Sequence, residues 1–206
     1  MTKEQGILNF AVLASGRGGN LQAIIKALET GKIKPNLAVV ISDKKDAYAL
    51  EHARKAMIPA VFINPKDFQD RESFDRAVVE CLHEHKVDFV VLAGYMRLVS
   101  IYFIQQYPDR ILNIHPSLLP AFRGMHAIKE AFDYGAKVTG VTVHIVVEEM
   151  DDGPIILQEP VRIGSKDSIE SLEEKIHQVE HRIYPQAIDL FVRGKIRIEG
   201  RKVIDL

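Results

Sequence analysis

The stretch FAVLASGRGGNLQAI, residues 10–24, decides the fold. An apolar run, Ile7 to Leu13, ends in a turn holding Gly16, Gly18 and Gly19. It passes directly into Leu21 to Leu28, where apolar positions recur at helical spacing until Gly31 stops them. Strand, glycine turn and helix in that order open a βαβ unit, so the expectation is a mostly parallel sheet covered by helices. Glycines at such a turn let the backbone bend tightly and bring its N–H groups to an anion at the positive end of the helix. The dinucleotide fingerprint needs a third glycine where this chain has Leu21, and the phosphate-loop signature GK[ST] is absent. A mononucleotide-like phosphate is therefore favoured over NAD or ATP. The alternative is a glycine-rich turn that binds nothing.

The pattern repeats outward from this unit. Leu37 to Ile41 and Ala60 to Ile63 read as strands, preceded by Pro35 and Pro59, with a helix over Ala47 to Ala56 between them. Arg71 to His85 is helical, and Asp88 to Leu92 is apolar enough for a central strand covered on both faces. A helix over Ser100 to Gln106 and a strand over Ile111 to His115 follow, the strand stopped by Pro116. The loop SLLPAFRGM comes next. Val138 to Val147 and Ile155 to Ile163 lie too close for another crossover and read as an antiparallel pair. Ser168 to Val192 is the longest helix, with a kink expected at Pro185. The fold class is α/β, Rossmann-like: a mostly parallel sheet with helices on both faces, then an antiparallel C-terminal strand pair and a long helix.

Composition narrows the function. Among 206 residues, 27 Lys+Arg and 28 Asp+Glu give a formal charge of −1, which argues against a surface built for nucleic acid or anionic membrane. Cys81 is the only cysteine, so no internal disulfide forms, and there is neither a signal peptide nor an apolar run of roughly 18 residues. A cytoplasmic protein with no nucleic-acid or membrane partner is the expectation; an oligomer stays open.

Three segments carry candidate chemistry. Asn113 and His115 share one face at the C-terminal end of a strand, where open α/β sheets place ligands. Gly140, Thr142 and His144 form a polar strand face opposite Val141, Val143, Ile145 and Val147, and such a face is not expected to be covered by apolar packing. Four carboxylates follow, Glu148, Glu149, Asp151 and Asp152, and an Asp beside an imidazole orients it for proton transfer. In the long helix, His177-Gln178-Val179-Glu180-His181 matches the HxxEH pattern of inverted zinc peptidases, a five-residue match that arises readily by chance. Glu180 also lies at the apolar stripe, so it either reaches outward or has a partner.

FAVLASGRGGNLQAI, DFVVLAGYMRLVS (88–100), NIHPSLLPAFRGMHA (113–127), GVTVHIVVEEMDDGPII (140–156) and EHRIYP (180–185) together resemble the phosphoribosylglycinamide formyltransferase family. The likeness runs in register from about residue 7 to 195. It implies one formyltransferase domain over 1–206, with a ribonucleotide-binding half to about residue 100 and a catalytic and folate-binding half after it. The implied reaction moves the formyl group of 10-formyltetrahydrofolate, a co-substrate, to glycinamide ribonucleotide in purine synthesis, with no metal required. The resemblance puts the catalytic Asn, His and Asp on Asn113, His115 and Asp151. Asn113 and a protonated His115 supply oxyanion donors, and Asp151 keeps His115 charged and assists removal of the ammonium proton. The ribonucleotide falls on Arg17, Gly18, Gly19, Asn20 and Glu180. The folate falls on Arg71, Met96, Arg97, Leu98, Val99, Asn113, Val147, Glu148, Glu149, Met150 and Asp151.

Two departures stand out: many members have Ser at Gly19, and Gly is often found at Asp152. The nearest rival is a formyltetrahydrofolate hydrolase of the same fold; its additional domain, like that of the transferase acting on initiator tRNA, finds no room in this length. A nucleotide sensor would need the glycine loop without Asn113, His115 and Asp151. His144 either contacts substrate or supports His115. Arg123 touches phosphate, caps its loop or, the commonest case for a lone Arg, faces solvent. His52, His83 and His85 read as surface helix residues. Tyr95 and Phe122 line the folate site or fill the core, and core is the reading taken.

Overall fold

Phe10 on the first strand and Phe89 on the fourth are paired in register and stack at 5.2 Å, both fully buried. That stack sits in the computed structural model of the chain, which describes residues 7–206. Strands β1 (Asn9–Leu13), β2 (Asn36–Ser42), β3 (Ala60–Phe62), β4 (Phe89–Leu92), β5 (Ile111–His115), β6 (Val138–Ile145) and β7 (Ile155–Arg162) belong to one mostly parallel seven-stranded sheet. The chain divides into two compact units, the first ending at Ile111 and the second running Leu112–Leu206.

In the first unit the strand order is β3-β2-β1-β4, every pair parallel. Helices α1 (Gly19–Glu29), α2 (Tyr48–Lys55), α3 (Arg71–Glu84) and α4 (Ile101–Gln106) connect the strands, as near-continuous apolar runs on β1, β2 and β4 require. A 3-10 turn at Pro65–Asp67, absent from the sequence reading, precedes α3. Asp70 and Ser73 form a reciprocal capping box that fixes the start of α3. Helix α1 begins at Gly19, two residues before the expected Leu21. Gly18 takes the left-handed conformation (φ 78°) as its N-cap and turns the chain into the helix early. Hydrophobic periodicity could not reveal this, because Gly19 and Asn20 carry no apolar side chain.

In the second unit β5 pairs antiparallel with β6, and β6 with β7, as expected for the closely spaced pair. Helix α6 (Ile169–Val192) packs on β6 and β7 and continues through Pro185, with Ser168 and Ser171 forming its capping box. Two elements escaped the sequence reading. One is α5 (Ala127–Tyr134), closed by Gly135 in the left-handed region; its signal was the Ala127/Ala131 spacing. The other is an antiparallel hairpin, β8 (Ile196–Glu199) and β9 (Lys202–Asp205), legible in the alternating IRIEGRKVID.

Candidate active site

Strand pairing assembles the catalytic candidates of the second unit. Asn113 on β5 stands opposite His144 on β6, and His115 stands opposite Thr142, so all four residues share one sheet face. The expected polar face is indeed present on β6. Contrary to expectation it is packed away: Thr142 and His144 are 0% and 1% exposed. Hydrogen bonds make that burial tolerable. Thr142 Oγ1 donates to the Ser117 carbonyl (2.7 Å) and accepts from Leu119 N (3.1 Å) and Gln158 Nε2 (3.0 Å). These bonds also anchor the start of the Pro116–His126 loop.

His144 is the residue whose role sequence parity could not choose. Its Nδ1 lies 2.9 Å from the Ile145 carbonyl, which can only accept, so Nδ1 carries the proton. Nε2, 3.1 Å from Asn113 Nδ2, then accepts from the amide. Burial pushes the His144 pKa down, against the opposing pull of the Ile145 carbonyl and the Asp151 charge, and so favours this neutral ring. His144 thereby fixes which end of the Asn113 amide is the donor and leaves its second N–H to point elsewhere.

Asp151 closes the group from the β6–β7 loop. Its Oδ2 lies 3.4 Å from His115 Nδ1 and accepts from Gly124 N–H at 2.8 Å, while Oδ1 is 3.7 Å from His144 Nε2. The side chain is 10% exposed. His115 Nε2 lies 2.8 Å from the Phe122 carbonyl and donates to it. Both ring nitrogens thus have a protein partner in the unliganded site, where the resemblance makes a protonated His115 an oxyanion donor. Phe122 was read as core. It is instead half-buried at φ 50°, on the loop tip, with its carbonyl turned to His115. Arg123 does not face solvent alone but pairs with Asp152, which is also held by Arg201. Glu180 is buried on α6 and pairs with His177 at 3.0 Å.

The glycine turn belongs to the first unit. Gly16 O accepts from Ala49 N, and a Cβ on Gly18 would sit 2.9 Å from Ala49 Cα, so α2 presses against the turn. Ser15, Gly16 and Arg17 line an open cavity of about 350 Å³ together with Lys44 and Lys45. The two lysines were not singled out from sequence; the KK pair one residue past the end of β2 was the available signal. Gly18, Gly19 and Asn20 sit at the N-cap and first turn of α1, whose N–H groups lack intrahelical acceptors.

The folate candidates of this unit lie at the start of α3 and in the segment that follows β4. Arg71 is its first residue and is exposed, as are Met96 and Leu98 at 62% and 57%. Arg97 stacks on Phe74 at 4.6 Å, and Val99 is half-buried. Tyr95, read as core, is also half-buried. The buried Asp75, whose pKa is raised by burial, accepts from Ser100 N at 2.5 Å and pins the end of this segment. In the second unit Val147 is half-buried, and Glu148, Glu149 and Met150 are exposed. His83 is exposed, whereas His52 meets Gln22 and His85 meets the Cys81 carbonyl.

Among the described residues, the group of three or more His, Cys, Asp and Glu whose ligand atoms all lie within 4.8 Å of one another is Cys81, Glu84 and His85, not the HxxEH motif. His177 and His181 instead stack at 6.4 Å. Among the described residues no helix is long and apolar enough to cross a membrane.

An α/β sheet that carries Asn113 and His115 at the end of β5, with Asp151 brought to them from the β6–β7 loop, is an arrangement suited to acyl transfer. Residues 8–188 match the family described as formyl transferase, and the chain belongs to that family. It is 44% identical over 179 residues to the phosphoribosylglycinamide formyltransferase of Bacillus subtilis (strain 168), covering 87% of this chain and 92% of that one. Glycinamide ribonucleotide transformylase 1 from Symbiobacterium toebii superposes with a TM-score of 0.96 at 48% identity, over 100% of this chain and 98% of that one. A formyltetrahydrofolate deformylase from Pseudomonas syringae pv. tomato shares the fold at a TM-score of 0.92 and 27% identity, over 100% of this chain and 68% of that one.

Proposed function

We propose that this chain transfers the formyl group of 10-formyltetrahydrofolate to the amine of glycinamide ribonucleotide, giving formylglycinamide ribonucleotide and tetrahydrofolate. The family and the relatives at 44% and 48% identity support the reaction. One observation carries the mechanism: His144 hydrogen-bonds the Asn113 amide while the Asp151 carboxylate lies 3.4 Å from His115 Nδ1, which gathers Asn113, His115 and Asp151 in one place.

The amine nitrogen attacks the formyl carbon, and the carbonyl electron pair moves to oxygen. Collapse of the tetrahedral intermediate breaks the bond to N10, which takes up a proton as the amine gives one away. The developing oxyanion needs a preorganised donor. Asn113 is suited to supply it, because His144 occupies one N–H of its amide and leaves the other free to reach substrate. His115 would act through charge: a doubly protonated ring satisfies both the Phe122 carbonyl and the Asp151 carboxylate. Asp151 would accept the ammonium proton, directly or through water. The ribonucleotide phosphate is assigned to Arg17, Gly18, Gly19 and Asn20 with Lys44 and Lys45, and the glycinamide part to Glu180. The folate is assigned to Arg71, Met96 to Val99 and the backbone of Val147 to Asp151, with the thioether and aliphatic groups of Met96 and Leu98 as apolar cover.

The test is formyl-folate turnover by the full chain with and without glycinamide ribonucleotide. Acceptor-dependent formation of the formylated ribonucleotide is the expected result, and His115→Ala should lower it by at least about 10²-fold. Equal formate release without acceptor would instead assign the deformylase reaction.

A further inference from the structure

Asp152 lies beside the catalytic candidates and accepts two cations on separate oxygens. Arg123 Nη2 meets Oδ1, and Arg201 Nη1 meets Oδ2 at 2.5 Å. These three residues come from three places in the second unit: the loop after β5, the β6–β7 loop, and the turn of the β8–β9 hairpin. The pairing continues one residue further along each loop, where Asp151 Oδ2 accepts from Gly124 N–H at 2.8 Å. Two successive residues of one loop therefore hold two successive residues of the other. The first loop contributes the Phe122 carbonyl to His115, and the second contributes the Asp151 carboxylate to the same ring.

Both loops carry conformations that need holding. Phe122 (φ 50°) and Asp151 (φ 52°) are non-glycine residues in the left-handed region, and such residues persist only where surrounding contacts over-determine them. The Asp151–Gly124 bond is one such contact, the His115 ring meets both Phe122 and Asp151, and the Arg123–Asp152–Arg201 pairs add further ones. The carboxyl pKa of Asp152 is lowered, first by the Arg201 hydrogen bond, so the clasp is charged at neutral pH.

We propose that Asp152, clasped by Arg123 and Arg201, is a positioning residue that holds Asp151 and the Phe122 carbonyl on opposite sides of the His115 ring. The C-terminal hairpin thereby becomes part of the support of the catalytic site through Arg201. This rests on the formyl-transfer reading only for its kinetic consequence; the geometric consequence stands without it. Asp152 does not touch the reacting atoms in this account.

The experiment uses the full chain with Asp152→Asn, Arg201→Gln and Arg123→Gln, and with Arg201→Lys as the conservative variant. Two readouts are taken: single-residue amide exchange at Gly124 in the free protein, and kcat and KM for formyl transfer. Exposed ion pairs act weakly, and the Arg201 side chain is 70% exposed, so the expected changes are modest. Asp152→Asn should speed Gly124 exchange and lower kcat by about three- to tenfold each, with the ribonucleotide KM near wild type. Arg201→Gln should give a smaller change of the same kind, and Arg201→Lys should restore most of it. Exchange within α6 should not change.

Unaltered Gly124 exchange in Asp152→Asn overturns the proposal, and so does faster exchange with unaltered kcat. If Asp152→Asn fails to fold, the Arg201→Gln and Arg201→Lys pair decides by the same criteria, with equal behaviour of Lys, Gln and wild type counting against the clasp. A wild-type protein without formyl transfer sinks the functional reading instead, and the Gly124 exchange then decides the clasp alone.

Discussion

Replacing Asp151 with Asn isolates the charge of the carboxylate from its shape. The backbone at Asp151 is left-handed (φ 52°), and Asn tolerates that region as well as Asp does. The Asn oxygen can still accept from Gly124 N–H, now 2.8 Å from Oδ2. What is lost is a negative charge 3.4 Å from His115 Nδ1. Two unit charges at that separation interact with about 5 kcal/mol at an effective dielectric near 20. Removing a mostly buried carboxylate also relieves a desolvation penalty, which offsets part of that figure. A remainder of about 3 kcal/mol corresponds to a fall in kcat of about 10²-fold, at the low end of acid–base catalysis.

Folding stability should fall by a comparable amount, up to about 3 kcal/mol, because the same charge pair is present in the unliganded fold. Formyl transfer under saturating substrates gives kcat, calorimetric titration with the ribonucleotide gives its affinity, and urea unfolding followed by circular dichroism gives stability. Turnover within tenfold of wild type in a normally folded Asp151→Asn protein would show that the charge is not used, and the reasoning from the 3.4 Å contact would fail.

Two further outcomes follow from the same part of the molecule. A Cβ at Gly153 would lie 1.7 Å from the Ile145 carbonyl that holds His144 Nδ1, so Gly153→Ala must displace backbone. It should cost about 3 kcal/mol or more in urea unfolding, and a loss under 1 kcal/mol would mean the loop has room. Burial lowers the His144 pKa below its ordinary 6.5, so at mildly acidic pH the unfolded chain binds more protons than the native one. The stability contributed by the neutral ring is complete above about pH 6.5 and is lost as pH falls toward the folded value. His144→Gln, which can still accept from Asn113 and donate to Ile145, should flatten that slope below about pH 6.5 in pH-dependent urea melts; an unchanged slope would remove His144 as its source.

The sequence by itself determined most of the elements, from β1 to β7 and the long α6, and their order. Apolar runs of strand length, the glycine turn at Gly16 to Gly19, and the stripe of Ile176, Ile183 and Ala187 each follow a local period that burial imposes, and these were readable residue by residue. It also placed Asn113 and His115 on one face, because side-chain alternation in a strand is a local rule. Segments lacking a strong apolar period, the start of α1 and the short α5, were misplaced or missed for the same reason.

Partnership across the fold was decided only by tertiary structure. Strand register set His144 opposite Asn113, and that contact settled which way the Asn113 amide points. Long-range loop packing brought Asp151 to His115, turned the Phe122 carbonyl onto the same ring, and gave Arg123 a carboxylate partner 29 residues away in sequence. Hydrogen bonds and ion pairs of this kind depend on distances between residues far apart in the chain, and composition and periodicity encode none of those distances.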